Sequence, residues 1–409
     1  MRVDPLRGLP REVGVLTAVS FTVALGFGIV APALPVFATG FGVGEAAAAA
    51  VISAFAFMRF VSALGSGWLV DRAGERTLLA AGIGVVAVSS ALAGLSQSYL
   101  QLIVLRGIGG VGSALFSVSA LSLLLRTVGA ELRGRATGAY QGGFVLGGIA
   151  GPALGGLLAA ISIRAPFFVY AAVLAVAGAI AMHFLSRAEL QGRPETGRPA
   201  SDEDLDERVS LRAALRDPAY RAALTASFGT GWVFFGVRTA VIPLFVVAAL
   251  DRDPFWTGVG FAVVSGVQAL TMLGAGTFVD VYGRRPAMIG GAALAAVSMG
   301  VLAASDSLAL YLASMVLLGL GASALSVAPG AVVGDVTGGR SGIVVAAYQM
   351  ARDFGTVVGP LVAGALAEQL SFGAAFAASA VIMTVVTVMS LAARETASAR
   401  LPRRTRPSP

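Results

Sequence analysis

The stretch Gly67-Trp-Leu-Val-Asp71-Arg-Ala-Gly74-Glu-Arg76 returns as Gly276-Thr-Phe-Val-Asp280-Val-Tyr-Gly283-Arg-Arg285, a shift of 209 positions between Asp71 and Asp280. Each copy follows one apolar run and precedes another. Ala139-Tyr140-Gln141 returns as Ala347-Tyr348-Gln349, and Gly147-x-x-x-Gly151-Pro152 as Gly355-x-x-x-Gly359-Pro360, both shifted by 208. Phe27-Gly28 and Pro35 return as Phe235-Gly236 and Pro243, again by 208. One offset at several separate places marks a chain built from two related halves. Parallel halves of this kind suit a transporter in which one bundle rocks against the other.

Composition says where such halves reside. The 409 residues are 56% hydrophobic and 12% charged, about half the charged fraction of a soluble domain. A spanning helix takes about 20 apolar residues, and runs of that size fall at about 13–38, 46–70, 77–95, 99–125, 135–160, 165–186, 219–249, 255–279, 286–304, 308–333, 341–367 and 373–394. The reading is an all-α membrane protein of twelve transmembrane helices, arranged as two pseudo-symmetric six-helix bundles. The 53 glycines suit helices that approach closely in lipid. No cysteine and a single histidine, His183, leave no room for disulfides, thiolate nucleophiles or an imidazole metal cluster. The net charge of +7 does not point to nucleic acid, because the arginines sit in short loops and form no basic stripe interleaved with aromatics. The first apolar run is too long for the core of a signal peptide.

Loop charge sets the orientation. Arginines gather before the first span, at 71–76, at 126–135, after Arg187, at Arg284, Arg285 and Arg340, and in the tail. The alternate loops hold Glu45, Ser96–Ser98, Arg164, Asp251–Asp253, Asp306 and Glu368. Both termini are therefore expected in the cytoplasm, with the chain in the cytoplasmic membrane. Residues 187–218 carry 14 charged side chains in 32 and read as a cytoplasmic linker. It joins an N-terminal bundle (1–186) to a C-terminal bundle (219–394), which a cytoplasmic tail (395–409) follows. Two readings of the linker stay open: a surface helix bearing Leu205, Val209, Leu211 and Leu215, or an unstructured tether.

At this point the chain resembles the major facilitator superfamily over nearly its whole length. The loop at 67–76 is similar to the signature loop of that family, with Glu75 where a basic residue is usual. Arg106-Gly-Ile-Gly109-Gly-Val-Gly112 resembles the family's buried-arginine motif. Gly147-x-x-x-Gly151-Pro152-x-x-Gly155-Gly156 resembles the motif of the drug:proton antiporter branch, as does Gly26-Phe-Gly28-Ile-Val-Ala-Pro32-Ala-Leu-Pro35. The resemblance implies a monomer that works by alternating access, with spans 1, 2, 4, 5 and 7, 8, 10, 11 around a central cavity.

The motifs also have a physical reading of their own. Asp71 and Asp280 stand at helix ends, where a carboxylate can cap a neighbouring helix N-terminus and hold one face shut. Gly74 and Gly283 permit the tight turn; Arg72, Arg76, Arg284 and Arg285 supply charge partners. A plain positive-inside anchor is the other reading. Gly147, Gly151, Gly155 and Gly156 make a small-residue face and Pro152 removes one helix hydrogen bond. This suits close packing, or a bend that closes the extracellular side.

Charges within spans cost roughly 2.5–3.5 kcal/mol each at mid-bilayer, so each needs a reason. Five qualify: Arg59, Arg106, Arg238 and the neighbours Arg352 and Asp353. Asp353 lies about 12 residues into its span, roughly 18 Å at about 1.5 Å per residue. It either titrates, carrying a proton as substrate leaves, or is locked in an ion pair with Arg352 or Arg238. Arg106 is expected to bond carbonyls or join the Asp71 loop network. Tyr140, Gln141, Gln268, Tyr348 and Gln349 can contact substrate or bridge helices. His183 reads as a surface residue. No phosphate-cradling loop, metal-ligand spacing or nucleophile elbow appears, so neither an ATP-driven pump nor an enzyme is expected, and no cofactor. The expectation is a proton-coupled exporter of hydrophobic or amphipathic small molecules. Its rivals are an importer or facilitator of a small organic solute, organic anions included, and a sensor that kept the fold without transport.

Overall fold

The computed structural model describes residues 10–128, 133–184, 210–337 and 342–396. Among these residues every regular element is helical. Span 1 is Arg11–Val30 continued by Leu34–Thr39; span 2 is Glu45–Ala73, span 3 Glu75–Gly94, span 4 Tyr99–Thr127, span 5 Arg133–Ile161 and span 6 Ala165–Phe184. Span 7 runs from Pro218 to Ala249. Span 8 is Phe255–Val281, span 9 Arg284–Ala303, span 10 Leu308–Thr337, span 11 Gly342–Gln369 and span 12 Phe372–Leu391. Eleven of these are long and apolar enough to cross a membrane. Span 11, which carries Arg352 and Asp353, completes the twelve.

The helices start where the sequence signals a start. Ser98 accepts from the Gln101 N–H at 3.3 Å and Ser371 from the Ala374 N–H at 3.1 Å, each satisfying an otherwise unpaired donor of the first turn. Gly74 and Gly283 turn the chain at φ 81° and 108°, a backbone region that favours glycine. Two spans depart from plain helices. Span 1 breaks at 31–33, because Pro32 and Pro35 cannot donate to the helical ladder. Span 7 widens into π-helical turns at Gly231–Val237 and Phe245–Ala249, which rotate the side chains that follow. Residues 185–209, which hold most of the 187–218 linker with Leu205 and Val209, and residues 397–409 of the tail lie outside the described residues. Within 210–217 the linker forms one turn, Leu211–Ala214.

The packing repeats with the sequence. Span 1 packs on 5 and 6, span 2 on 4, and span 3 on 4 and 6; in the other half 7 packs on 11 and 12, 8 on 10, and 9 on 10 and 12. The two bundles meet chiefly where span 2 crosses span 11 and span 5 crosses span 8. Glycine makes the tightest contacts possible. A methyl group on Gly147, Gly151 or Gly155 would run into the carbonyls of Phe21, Leu25 and Ile29 respectively. Every fourth residue of span 5 thus sits on every fourth residue of span 1, ridge against groove. Gly355 lies likewise on the Phe228 carbonyl and Gly359 on the Trp232 backbone. Pro152 touches Gly28 just as Pro360 touches Gly236.

One tie at the linker end has a pH dependence. The Asp217 carboxylate accepts from Arg394 Nη2 at 2.5 Å and Nε at 3.2 Å, and from the Ala219 N–H at 2.9 Å. It joins the end of span 12 to the start of span 7. The Arg394 hydrogen bonds hold the Asp217 carboxyl below its ordinary value, against an opposing upward push from burial. A depressed pKa stabilises the fold above the ordinary carboxylate value of about 4, and that contribution is lost as pH falls through the lowered value. Asp217→Ala is expected to cost about 1 kcal/mol at neutral pH. Its thermal midpoint in detergent should approach that of the parent as the pH drops below about 4.

Candidate transport site and its gates

The midplane site begins with an ion pair that crosses between the bundles. Arg59 Nη2 in span 2 donates to Asp353 Oδ1 in span 11 at 2.6 Å, with the side chains 31% and 21% exposed. Both residues lie near the middle of their helices, so each charge is neutralised where an isolated one is most costly. Asp353 therefore pairs with the opposite bundle and not with Arg352 or Arg238. The reason lies in the helix: Arg352 precedes Asp353 by one residue, about 100° around the axis, and adjacent positions do not face each other. One turn on from Asp353 and nearly two from Arg59, the Ser53 hydroxyl donates to the Val357 carbonyl at 2.7 Å and extends the same crossing. At the equivalent crossing of spans 5 and 8, Val145 and Gln268 stand where Asp353 and Arg59 would map. The charge pair is thus confined to one of two related crossings.

The other arginines take aromatic partners. The Arg106 guanidinium lies 4.4 Å from the Phe55 ring centroid, Arg238 lies 5.5 Å from Phe261, and Arg352 lies 5.8 Å from Phe235. Such contacts are attractive but weaker than a salt bridge in a dry site. The π-helical turn Gly231–Val237 carries Phe235 and leads directly into Arg238. Gly231 itself packs on the Arg352 carbonyl. Arg106 is 3% exposed, and its Nε and the Nε of Arg238 find no hydrogen-bond partner. Arg106 stands two turns from the start of span 4, at the face opposite the Asp71 loop. It therefore joins neither that network nor, among the described residues, any carbonyl.

The polar candidates divide. Tyr140 is 7% exposed, and its carbonyl accepts from the Ser20 hydroxyl at 2.8 Å; the Tyr348 carbonyl accepts from Ser227 at 2.7 Å. Both positions bind helix to helix. Gln268 is half-buried and Gln349 exposed, while the Gln141 side chain lies outside the described residues. His183 is exposed, with its ring against Phe184 at 4.8 Å.

The arginine-poor face is closed by two related crossings. Gly156 of span 5 meets Gly258 of span 8 so closely that a methyl on either would strike the other's Cα, and Gly364 of span 11 packs on Ala46 and Ala49 of span 2. These pairs map onto each other, Gly156 to Gly364 and Ala49 to Gly258. At the second crossing Glu368 adds a latch. Its carboxylate accepts from the Ala46 N–H at 2.9 Å, capping the start of span 2 where the helix dipole favours an anion. Toward the arginine-rich face, Gly65 of span 2 and Gly274 and Gly276 of span 8 have no atom within reach of an added methyl. The backbone-to-backbone contacts of the two crossings therefore do not continue to that side at these positions.

At the arginine-rich face the signature loops tie each bundle to itself. Arg76 Nη2 donates to the Met182 carbonyl at 2.5 Å and Arg285 Nη2 to the Leu391 carbonyl at 2.6 Å. These are one contact repeated 209 positions on, a cation at the C-terminal end of a helix. Glu395 accepts from the N–H groups of Arg284 and Arg285 at 2.9 and 3.1 Å, which caps span 9. The side chains of Asp71 and Asp280 lie outside the described residues. A further pair repeats with its polarity reversed. Arg126 contacts Glu75 at 2.5 Å, and Arg284 contacts Asp335 at 3.2 Å. Glu75 maps to Arg284 and Arg126 to Asp335. The acid at 75 is thus matched by a base on span 4. Glu75→Arg and Arg126→Asp are each expected to lower stability by about 0.5–1 kcal/mol, the range of an exposed pair. The double exchange should recover most of it in detergent melting curves.

Sequence reading did not pick out Glu368, Gly258, Glu395, Phe235 or Phe261 as functional positions. The reversed pair was accessible, because the 209-residue offset aligns opposite charges at both of its positions. The aromatic partners carry no such signal.

The chain matches the Major Facilitator Superfamily profile over residues 16–267 and 234–408. It is 26% identical over 404 residues to the multidrug efflux protein YfmO of Bacillus subtilis (strain 168), covering 96% of both chains. It is also 26% identical over 374 residues to the multidrug resistance protein MdtG of Proteus mirabilis (strain HI4320), covering 89% of this chain and 90% of that one. Among solved structures it superposes at TM-score 0.74, with 14% identity, on a bacterial homolog of the human lysosomal transporter Spinster in an inward-facing and occupied conformation, covering 93% of this chain and 95% of that one. With two repeated bundles that meet at two related crossings and a family match across both halves, the chain belongs to the major facilitator superfamily and is a membrane transporter, not an enzyme.

Proposed function

We propose that the protein exports hydrophobic or amphipathic small molecules across the cytoplasmic membrane in exchange for protons. The observation that carries this is the Arg59–Asp353 pair, which joins the two bundles at mid-depth while the arginine-poor face is closed. In this reading the arginine-rich face and both termini are cytoplasmic, the protein works as a monomer, and the conformation is open to the cytoplasm. Asp353 is ionised and tied to Arg59. Opening to the outside separates spans 2 and 11, so the pair must break. Protonation of Asp353 on the outer side removes its charge and keeps the tie broken while substrate departs. Return to the cytoplasm-open state releases the proton and re-forms the pair. A potential of 100 mV supplies roughly 2.3 kcal/mol per charge, enough for more than a tenfold gradient. The efflux names of the relatives YfmO and MdtG support the direction.

The test compares parent and Asp353→Asn in proteoliposomes under an imposed pH gradient, with internal pH followed as lipophilic compounds are added. Substrate-dependent proton flux is expected in the parent and should vanish in the variant. Undiminished flux in Asp353→Asn would make the carboxylate a structural tie and remove it from the proton path.

A further inference from the structure

The charges around the central cleft do not balance. Asp353 neutralises Arg59. Arg238 and Arg352 have no carboxylate partner among the described residues and are held by the rings of Phe261 and Phe235. These groups form one neighbourhood. Arg352 adjoins Asp353 and lies over Phe235, and Arg238 follows Phe235 by three residues, nearly one helical turn on span 7. By surface exposure both arginines are half-buried where Arg106 is buried, with the Nε of Arg238 enclosed and without a hydrogen-bond partner. The site therefore offers surplus positive charge, flat guanidinium donors and two phenylalanine rings, with its one acid already occupied.

We propose that the substrate is an amphipathic organic anion: an aromatic or otherwise apolar body bearing one carboxylate or sulfonate. The inference rests on the reading of the central cleft as the substrate site. A guanidinium presents paired donors to a carboxylate or sulfonate and stacks on aromatic surface. An apolar cleft with a few charged groups strengthens that attraction. A lipophilic cation entering the same place meets two unpaired cations and an acid it must win from Arg59. An anion has the opposite relation to the tie between bundles. It competes with Asp353 for Arg59, freeing the carboxylate to take up a proton as the outer face opens. Substrate binding and proton uptake are then coupled through one guanidinium. Export of the anion is also driven by an inside-negative potential, which would oppose export of a cation.

The experiment uses full-length protein in proteoliposomes and two probes with the same ring and opposite charge, 2-naphthalenesulfonate and trimethyl(2-naphthyl)ammonium. The sulfonate is expected to move at least about tenfold faster, with its rate rising under a valinomycin-imposed potential that is negative on the side it leaves. Arg238→Gln and Arg352→Gln should each lower sulfonate transport about tenfold, while Arg238→Lys and Arg352→Lys keep the preference for it. The lysine variants separate a lost charge from a misfolded chain. Preferential movement of the ammonium probe with proton counterflow would overturn the anion inference and leave proton antiport standing. Sulfonate movement without proton flux would uphold the inference and remove antiport. Sulfonate transport unchanged in both glutamine variants would also overturn it.

Discussion

Valine in place of Gly156 is expected to abolish transport and leave the arginine-poor face open. Gly156 and Gly258 bring two backbones together with no room for a side chain on either. The obstructing atom is a Cα, which cannot rotate away as the end of a flexible side chain would. Closure would have to be given up or made with the helices pushed apart. Overpacking of this kind costs typically 1–3 kcal/mol, and near the upper end it reduces the closed population about a hundredfold. The related crossing, Gly364 on Ala46 and Ala49 with the Glu368 latch, belongs to the same closed state and would be lost with it. The chain contains no cysteine, so one introduced at Ser53 is a clean reporter. Ser53 lies 3% exposed within the span 2–span 11 crossing. In the parent, Ser53→Cys should resist an impermeant maleimide applied from the arginine-poor face. In the Gly156→Val background it should label readily. Protection that persists alongside normal transport would show that closure does not depend on this contact.

Reversing the midplane pair is the second test with a large expected effect. Arg59→Asp sets two carboxylates face to face, and Asp353→Arg sets two guanidiniums face to face, where a salt bridge of 2.6 Å stood. Breaking a fully buried pair costs about 3–5 kcal/mol. Exposures of 31% and 21% reduce the expectation here to about 1–3 kcal/mol for each single variant. The double exchange restores opposite charges across the same gap. It should recover most of the lost stability, with a coupling energy of about 1–2 kcal/mol in a double-mutant cycle. Transport should fail in both single variants, since like charges at the crossing hold the bundles apart in the closed state. Additive losses in the double exchange would mean that the two residues do not hold each other, and the coupling mechanism above would lose its basis.

Much of this protein is legible one helix at a time. Apolar runs of membrane length marked the spans, since a bilayer demands about 20 such residues wherever they fall. Their ends in the structure lie within a few residues of those the sequence suggests. The repeated Gly-x-x-x-Gly-Pro segments announced tight packing, and the helices indeed meet there backbone to backbone. The 209-residue offset even carried the related arginine contacts to Met182 and Leu391. What the offset cannot carry is a contact made in one half alone or one that depends on the halves' mutual placement. Arg59 aligns with Gln268, and Asp353 with Val145, so no repeat signals their pairing. They meet across 294 residues only because spans 2 and 11 cross at mid-depth. Sequence neighbours point the other way: Arg352 stands beside Asp353 in the chain yet faces Phe235. Hydrophobic periodicity and glycine spacing are local properties that each helix bears in its own residues. The partners of the buried charges, and the face at which the bundles close, arise from how two rigid bodies lie against each other, and only the tertiary structure decides them.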